Sequence, residues 1–338
     1  MRRSVNLDIL RIIAAFMVFT LHALLQGGVN FSAGPTGVQL FFVLSGFLGF
    51  TSLENGKNAK EYYIGRAKKI LPTYWICLLF LYLSDLLWAF RTYGLSYRMF
   101  QGQCSYKFLR YVFMVNCILP SDNWDMWSNH SALWTMSAFF LFWILAPWLY
   151  KLMRKFWGAI IILTLSVVAQ NLLLKYLLSL VDNYPNEAKF IHQATMNAFV
   201  ELPYFLLGAT LVIALRENKE TFYLLLVGFI TVFSNLSQSP FPIIYVLLIF
   251  VAVKGSDIVT NEKMVKIIRK VADMSFTLYL IHPPLFVYFE KAQKHLGLEI
   301  RWLHVAVIYI SSVAFAYFLY HGIIRMVENR LGIFRRLK

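Results

Sequence analysis

Charge is what this sequence has little of. Asp and Glu number 17 and Lys and Arg 32 among 338 residues, together 14% of the chain, where a soluble domain carries about 25%. So few charges cannot clothe a water-facing surface, and an ordinary soluble enzyme or binding domain is excluded. Cysteine is scarcer still, at 3 residues, with no CxxC pair, no HExxH and no P-loop. A thiolate zinc scaffold, a zincin centre and a P-loop nucleotide site are thereby excluded. No metal is expected. Because acids are the scarcer sign, the net charge is +15. In a chain this apolar, that excess is loop charge obeying the positive-inside rule, and no nucleic-acid partner is expected.

What is present is apolar and aromatic: 59% hydrophobic residues, with 30 Phe, 19 Tyr and 9 Trp. Runs long enough to span a bilayer fall at about 7–26, 36–53, 70–90, 131–150, 157–176, 197–215, 221–235, 241–254, 273–290 and 302–324. The expected fold is an all-α polytopic membrane protein of about ten transmembrane helices, a single membrane-embedded domain over 1–338 without a soluble domain. With the N-terminus inside, inner segments hold 22 Lys and Arg and outer loops 9, which puts both termini in the cytoplasm. The opening MRR before IIAAFMVFTL also has the outline of a signal peptide, but a signal core has no use for Arg11 and His22. YKFLRYVFMVNCIL, interrupted by Arg110, reads as interfacial. Cys104 and Cys117 share an outer loop, as free thiols or as a pair.

The ionisable residues inside apolar runs carry the chemistry. An intramembrane charge costs roughly 2.5 kcal/mol or more and marks a function or a partner. In LDILRIIAAFMVFTLH, Arg11 and His22 are eleven positions apart, three turns plus about 20°, so both project from one helix face about 16 Å apart. Arg11 either pairs with Asp8, three residues before it, or offers its guanidinium to the phosphates of a cytoplasmic donor. His22 is either a core histidine or a general base. In GVQLFFVLSGFLGF, the glycines suit close helix packing, and Ser45 lacks the context of a nucleophile. Arg66, Lys68 and Lys69 in RAKKILPTYW are positive-inside anchors or a basic mouth for a polyphosphate, with Pro72 suited to a first helical turn and Tyr74 beside them. NHSALWTM sets His130 and Trp134 at the outer start of a span. SFTLYLIHPPLF places Tyr279 and His282 about mid-membrane, where Pro283 and Pro284 strand backbone carbonyls and should kink the helix.

These segments together resemble the membrane-bound acyltransferase-3 family, integral-membrane O-acyltransferases that modify polysaccharides and other extracytoplasmic acceptors. The leading likeness is LDILR with ten residues between Arg11 and His22. GVQLFFVLSGF, RAKKILPTYW, ALWTM with Pro147 after it, LPYFLLGA and SFTLYLIHPP are similar to further family segments in the same order. The resemblance implies a bacterial inner-membrane O-acetyltransferase that uses acetyl-CoA from the cytoplasm. His22 would be the base, Arg11, Arg66, Lys68 and Lys69 would hold the donor, and the acceptor would be a glycan or lipid-linked saccharide met at the membrane lipids. Asp8, Ser45, Tyr74, His130, Trp134, Glu201, Tyr279 and His282 would be supporting or acceptor-side residues. Many members carry acids after the tryptophan, where this chain has SAFFLFW, and Lys69 stands where arginine is common. A glycan-precursor transporter or flippase, and a donor such as succinyl-CoA, are the rival readings. A homo-oligomer or a biosynthetic partner stays open.

Overall fold

The computed structural model describes residues 4–330 except 27, 30–33, 95–105, 119–130, 184–186, 234–241 and 298–300. Among these residues every regular element is helical. In chain order they are α1 Val5–Gln26, α2 Gly34–Glu54, α3 Ala59–Tyr93, α4 Tyr106–Val112, a 3₁₀ turn Ser131–Leu133, α5 Trp134–Leu152, α6 Phe156–Leu178, a 3₁₀ turn Val181–Asn183 and α7 Glu187–Thr195. Then follow α8 Leu202–Arg216, α9 Glu220–Phe233, α10 Pro242–Lys254, α11 Glu262–His295 and α12 Arg301–Phe318. The last continues through a π-helical turn, Leu319–Ile324, into α13 Arg325–Arg330.

Among the described residues, six helical stretches are long and apolar enough to cross a membrane: α1, α2, α3, α5, α6 and the run from α12 through α13. Helices α8, α9 and α10 are shorter and apolar. The outer faces are apolar too. Leu87, Trp148, Leu172, Leu225 and Ile310 are all more than 60% exposed, which suits lipid and not water. The chain is an all-α polytopic membrane protein, and each segment expected to span overlaps a helix among the described residues, six of these helical stretches being long and apolar enough to cross.

Two helices begin earlier than their apolar runs. Asn58 accepts from the Glu61 N–H at 2.9 Å while Glu61 accepts from the Asn58 N–H at 3.3 Å. That reciprocal cap starts α3 at Ala59 rather than near residue 70. Arg66, Lys68 and Lys69 therefore stand on a helix and not in a loop, and Pro72 lies inside α3, not in its first turn. Likewise α11 starts at Glu262, through a charged stretch that no apolar window detects, and runs unbroken past Pro283 and Pro284 to His295.

Packing centres on α2, which lies between α8 on one side and α1 on the other; α1 packs in turn on α11, and α11 on α12. Phe205 of α8 stacks between Phe42 of α2 and Phe142 of α5, with centroids 4.6 and 4.7 Å away. The start of α1 is pinned by Asn6. Its amide donates to the carbonyls of Ala252 and Ser256 and its oxygen accepts from the Ile258 N–H. These three bonds fix α1 to the last turn of α10 and the link that follows it, and so set the height at which its side chains meet α11.

Candidate active site

Helix α1 is continuous from Val5 to Gln26, so Arg11 and His22 do share a face, about 16 Å apart along the axis. Arg11 meets Asp8 at 3.7 Å, with the carboxylate buried and the guanidinium side chain 24% exposed. The ion pair and an accessible guanidinium thus coexist.

His22 is half-buried, and its ring faces His282 of α11 with centroids 5.1 Å apart and planes at 42°. His282 is wholly buried. Its Nδ1 is 2.7 Å from the carbonyl oxygen of Tyr279. The reason is local and readable. In a helix that carbonyl accepts from the N–H four residues on, but residue 283 is proline and has none. The histidine ring supplies the missing donor. A carbonyl only accepts, so Nδ1 carries the proton and Nε2 keeps a lone pair. Nε2 is buried with no hydrogen-bond partner among the described residues. Phe19, set edge-on at 5.9 Å, and Phe286, at 5.5 Å, wall the ring.

Three residues back on α11 lies Tyr279. Thr135 Oγ1 donates to the Ala132 carbonyl at 3.0 Å, and the Tyr279 hydroxyl lies 3.1 Å from Thr135 Oγ1. The 3₁₀ turn before α5 is thereby tied to α11. Trp134 at the start of α5 is buried, edge-on to Phe42 at 5.9 Å. Glu201, just before α8, is 9% exposed, lies in electrostatic range of Tyr279, and has an Oε2 with no hydrogen-bond partner among the described residues. Half-buried His22 thus faces buried His282, and Tyr279, bonded to Thr135, brings polar side chains of α11 and α5 near Glu201 at the head of α8.

The other expected residues distribute as follows. Arg66 lies over the Tyr62 ring, 5.3 Å from its centroid, and Lys68 and Lys69 are exposed on α3. The four cations proposed for the donor stand on two helices, α1 and α3. Tyr74 is buried with its hydroxyl donating to the Tyr111 carbonyl, a tie between α3 and α4. Ser45 is half-buried on α2. His130 and Cys104 lie outside the described residues; Cys77 and Cys117 are free thiols. The sequence alone points to no site role for Thr135, for His321 or for the C-terminal arginines. Yet His321, Arg325, Met326, Asn329 and Arg330 line an open cavity of about 420 Å³.

Residues 4–321 match a protein-family model described as an acyltransferase domain, that of the acyltransferase-3 family. The chain belongs to this family. It is an acyltransferase and a multi-pass membrane protein. No curated protein and no solved structure matches it. The stretch matched to the acyltransferase-3 family runs from the start of α1 into the π turn, so both histidines and the α3 cations lie inside it.

Proposed function

We propose that this acyltransferase moves an acetyl group from cytoplasmic acetyl-CoA to a hydroxyl of an extracytoplasmic, lipid-linked glycan. It does so in a bacterial inner membrane, with ten crossings and both termini inside. The observation that carries the reading is the meeting of half-buried His22 with buried His282, on the helix face that His22 shares with Arg11 about 16 Å away. Donor phosphates rest against Arg11 and the α3 cations Arg66, Lys68 and Lys69, where guanidinium and ammonium groups complement them. The pantetheine arm follows α1 toward His22.

At His22 the acceptor hydroxyl attacks the thioester carbonyl while the imidazole takes its proton, a base assistance worth roughly 10²- to 10⁴-fold. The C–O bond forms, the C–S bond breaks, and the proton held on His22 passes to the departing sulfur. Glu201 and Trp134 stand on the acceptor side, the carboxyl bonding a sugar hydroxyl and the indole packing against the ring face.

The test is mass spectrometry of surface glycans from cells with and without the gene, beside cells carrying His22→Ala. One acetyl mass present only with the active gene supports the reading. A mass of another acyl group moves the donor assignment, and glycans identical in all three strains contradict acetyl transfer to a glycan.

A further inference from the structure

We infer that His282 is a positioning residue for His22, set in the required tautomer by Pro283. The inference rests on the reading of His22 as the base. Two imidazoles joined by an N–H···N bond of about 2.9 Å have ring centres roughly 5 Å apart; the observed separation is 5.1 Å. Spacing is therefore already that of a bonded pair, and a rotation of the half-buried His22 ring completes the bond. Only one sense of bond is open. His282 Nδ1–H is committed to the Tyr279 carbonyl that Pro283 leaves without a backbone donor, so its Nε2 accepts and His22 donates. The unpartnered, wholly buried Nε2 is the vacant half of that bond.

The consequence for chemistry follows directly. A His22 whose inner nitrogen donates to His282 has its proton there and its lone pair on the other nitrogen, aimed away from α11. That nitrogen takes the proton of the attacking hydroxyl. The imidazolium so formed keeps its inner N–H on His282, which spreads the new charge until the second proton leaves with the sulfur. This is the arrangement of base and orienting acceptor, with a neutral ring in place of a carboxylate. The aromatic wall of Phe19 and Phe286 keeps His282 in one rotamer and excludes water that would compete for Nε2.

The experiment measures thiol release from acetyl-CoA by the purified full chain, with a glycolipid extract of the source cells as acceptor, for four variants. His282→Ala lowers kcat on the order of 10²-fold with the KM for acetyl-CoA unchanged within about twofold. His282→Gln recovers part of that loss, because a carboxamide keeps one donor for the Tyr279 carbonyl and one acceptor for His22. Pro283→Ala lowers kcat less, by about tenfold, since the returned N–H competes for the same carbonyl. His22→Ala is inactive. If His282→Ala does not fold, Pro283→Ala decides, because it leaves His282 in place. Wild-type kcat in Pro283→Ala, or in a folded His282→Ala, overturns the positioning role while the inactive His22→Ala keeps the base. An active His22→Ala removes the base reading beneath it.

Discussion

Gly208 of α8 lies directly against the backbone of Val43 on α2: a Cβ added to it would come 1.8 Å from the Val43 carbonyl oxygen. The contact is reciprocal, since a Cβ on Gly46 would come 1.8 Å from the Phe205 carbonyl oxygen. Both obstacles are backbone, so no side chain can turn aside. Alanine would gain up to about 1 kcal/mol in helix propensity, yet forcing the helices apart costs about 1–3 kcal/mol or more. Gly208→Ala therefore lowers the melting temperature and the yield of monodisperse protein in detergent. Gly228→Ala on α9, where the nearest atom is 4.0 Å away, keeps or raises the melting temperature and leaves the yield unchanged. Equal melting of the two variants refutes the close-approach account.

Acid should loosen the end of the bundle where α6 begins. No side chain of its own caps α6, and the Glu217 carboxylate does so from across the fold, accepting from the Phe156 N–H at 3.0 Å. Partial desolvation works to raise the Glu217 carboxyl. The Phe156 N–H, Arg216 and Lys219 outweigh it and hold the group below its usual range. A carboxyl depressed in the folded state stabilises above its unfolded value, about 4.3, and that contribution fades as pH falls through the folded value. The wild-type melting temperature thus drops between about pH 5 and pH 3, and Glu217→Gln, less stable at pH 7, shows a smaller drop. A variant with the wild-type pH slope contradicts the assignment.

How far the sequence carried depended on whether a feature was local. His22 and His282 stood out as imidazoles in apolar runs, and the Pro283 that frees the Tyr279 carbonyl is the next residue, so even the tautomer is written within one turn. Gly46 was visible as a packing residue, while its partner Gly208 sits 162 residues away and only the fold pairs them. The early start of α3 was hidden because the apolar window opens near Ile70 and the Asn58–Glu61 cap lies outside it. Glu217 capping α6, and Tyr279 reaching Thr135, are long-range pairings to which no periodicity points. The shape of the site was legible along α1 and α11 and opaque across the helices that complete it.

Orientation is tested with single cysteines in a background lacking Cys77, Cys104 and Cys117. Val29→Cys, beyond α1, is labelled by an impermeant thiol reagent in cells with an opened outer envelope. Asn58→Cys, the cap of α3, is labelled only after lysis. The reverse pattern contradicts cytoplasmic termini and the donor route with them.

Donor and acceptor ends separate in steady-state kinetics. Arg11→Lys keeps the charge near Asp8 but loses the planar fork, so the KM for acetyl-CoA rises several-fold while the acceptor KM holds. Glu201→Gln does the opposite. A lipid-linked saccharide is acetylated far faster than the same saccharide freed from its lipid. Equal rates for the two forms, or both variants moving the same KM, contradict the division of the site.

The central claim is that His22 performs the chemistry, and acetyl transfer by purified His22→Ala tests it most directly. Thiol release from acetyl-CoA and acetyl appearance on the glycolipid are followed together, with melting temperature recorded for the same preparation. The account predicts wild-type melting and transfer at least 10²-fold below wild type. A folded variant that keeps more than about a tenth of wild-type transfer contradicts it, because that residual is too large for loss of a general base.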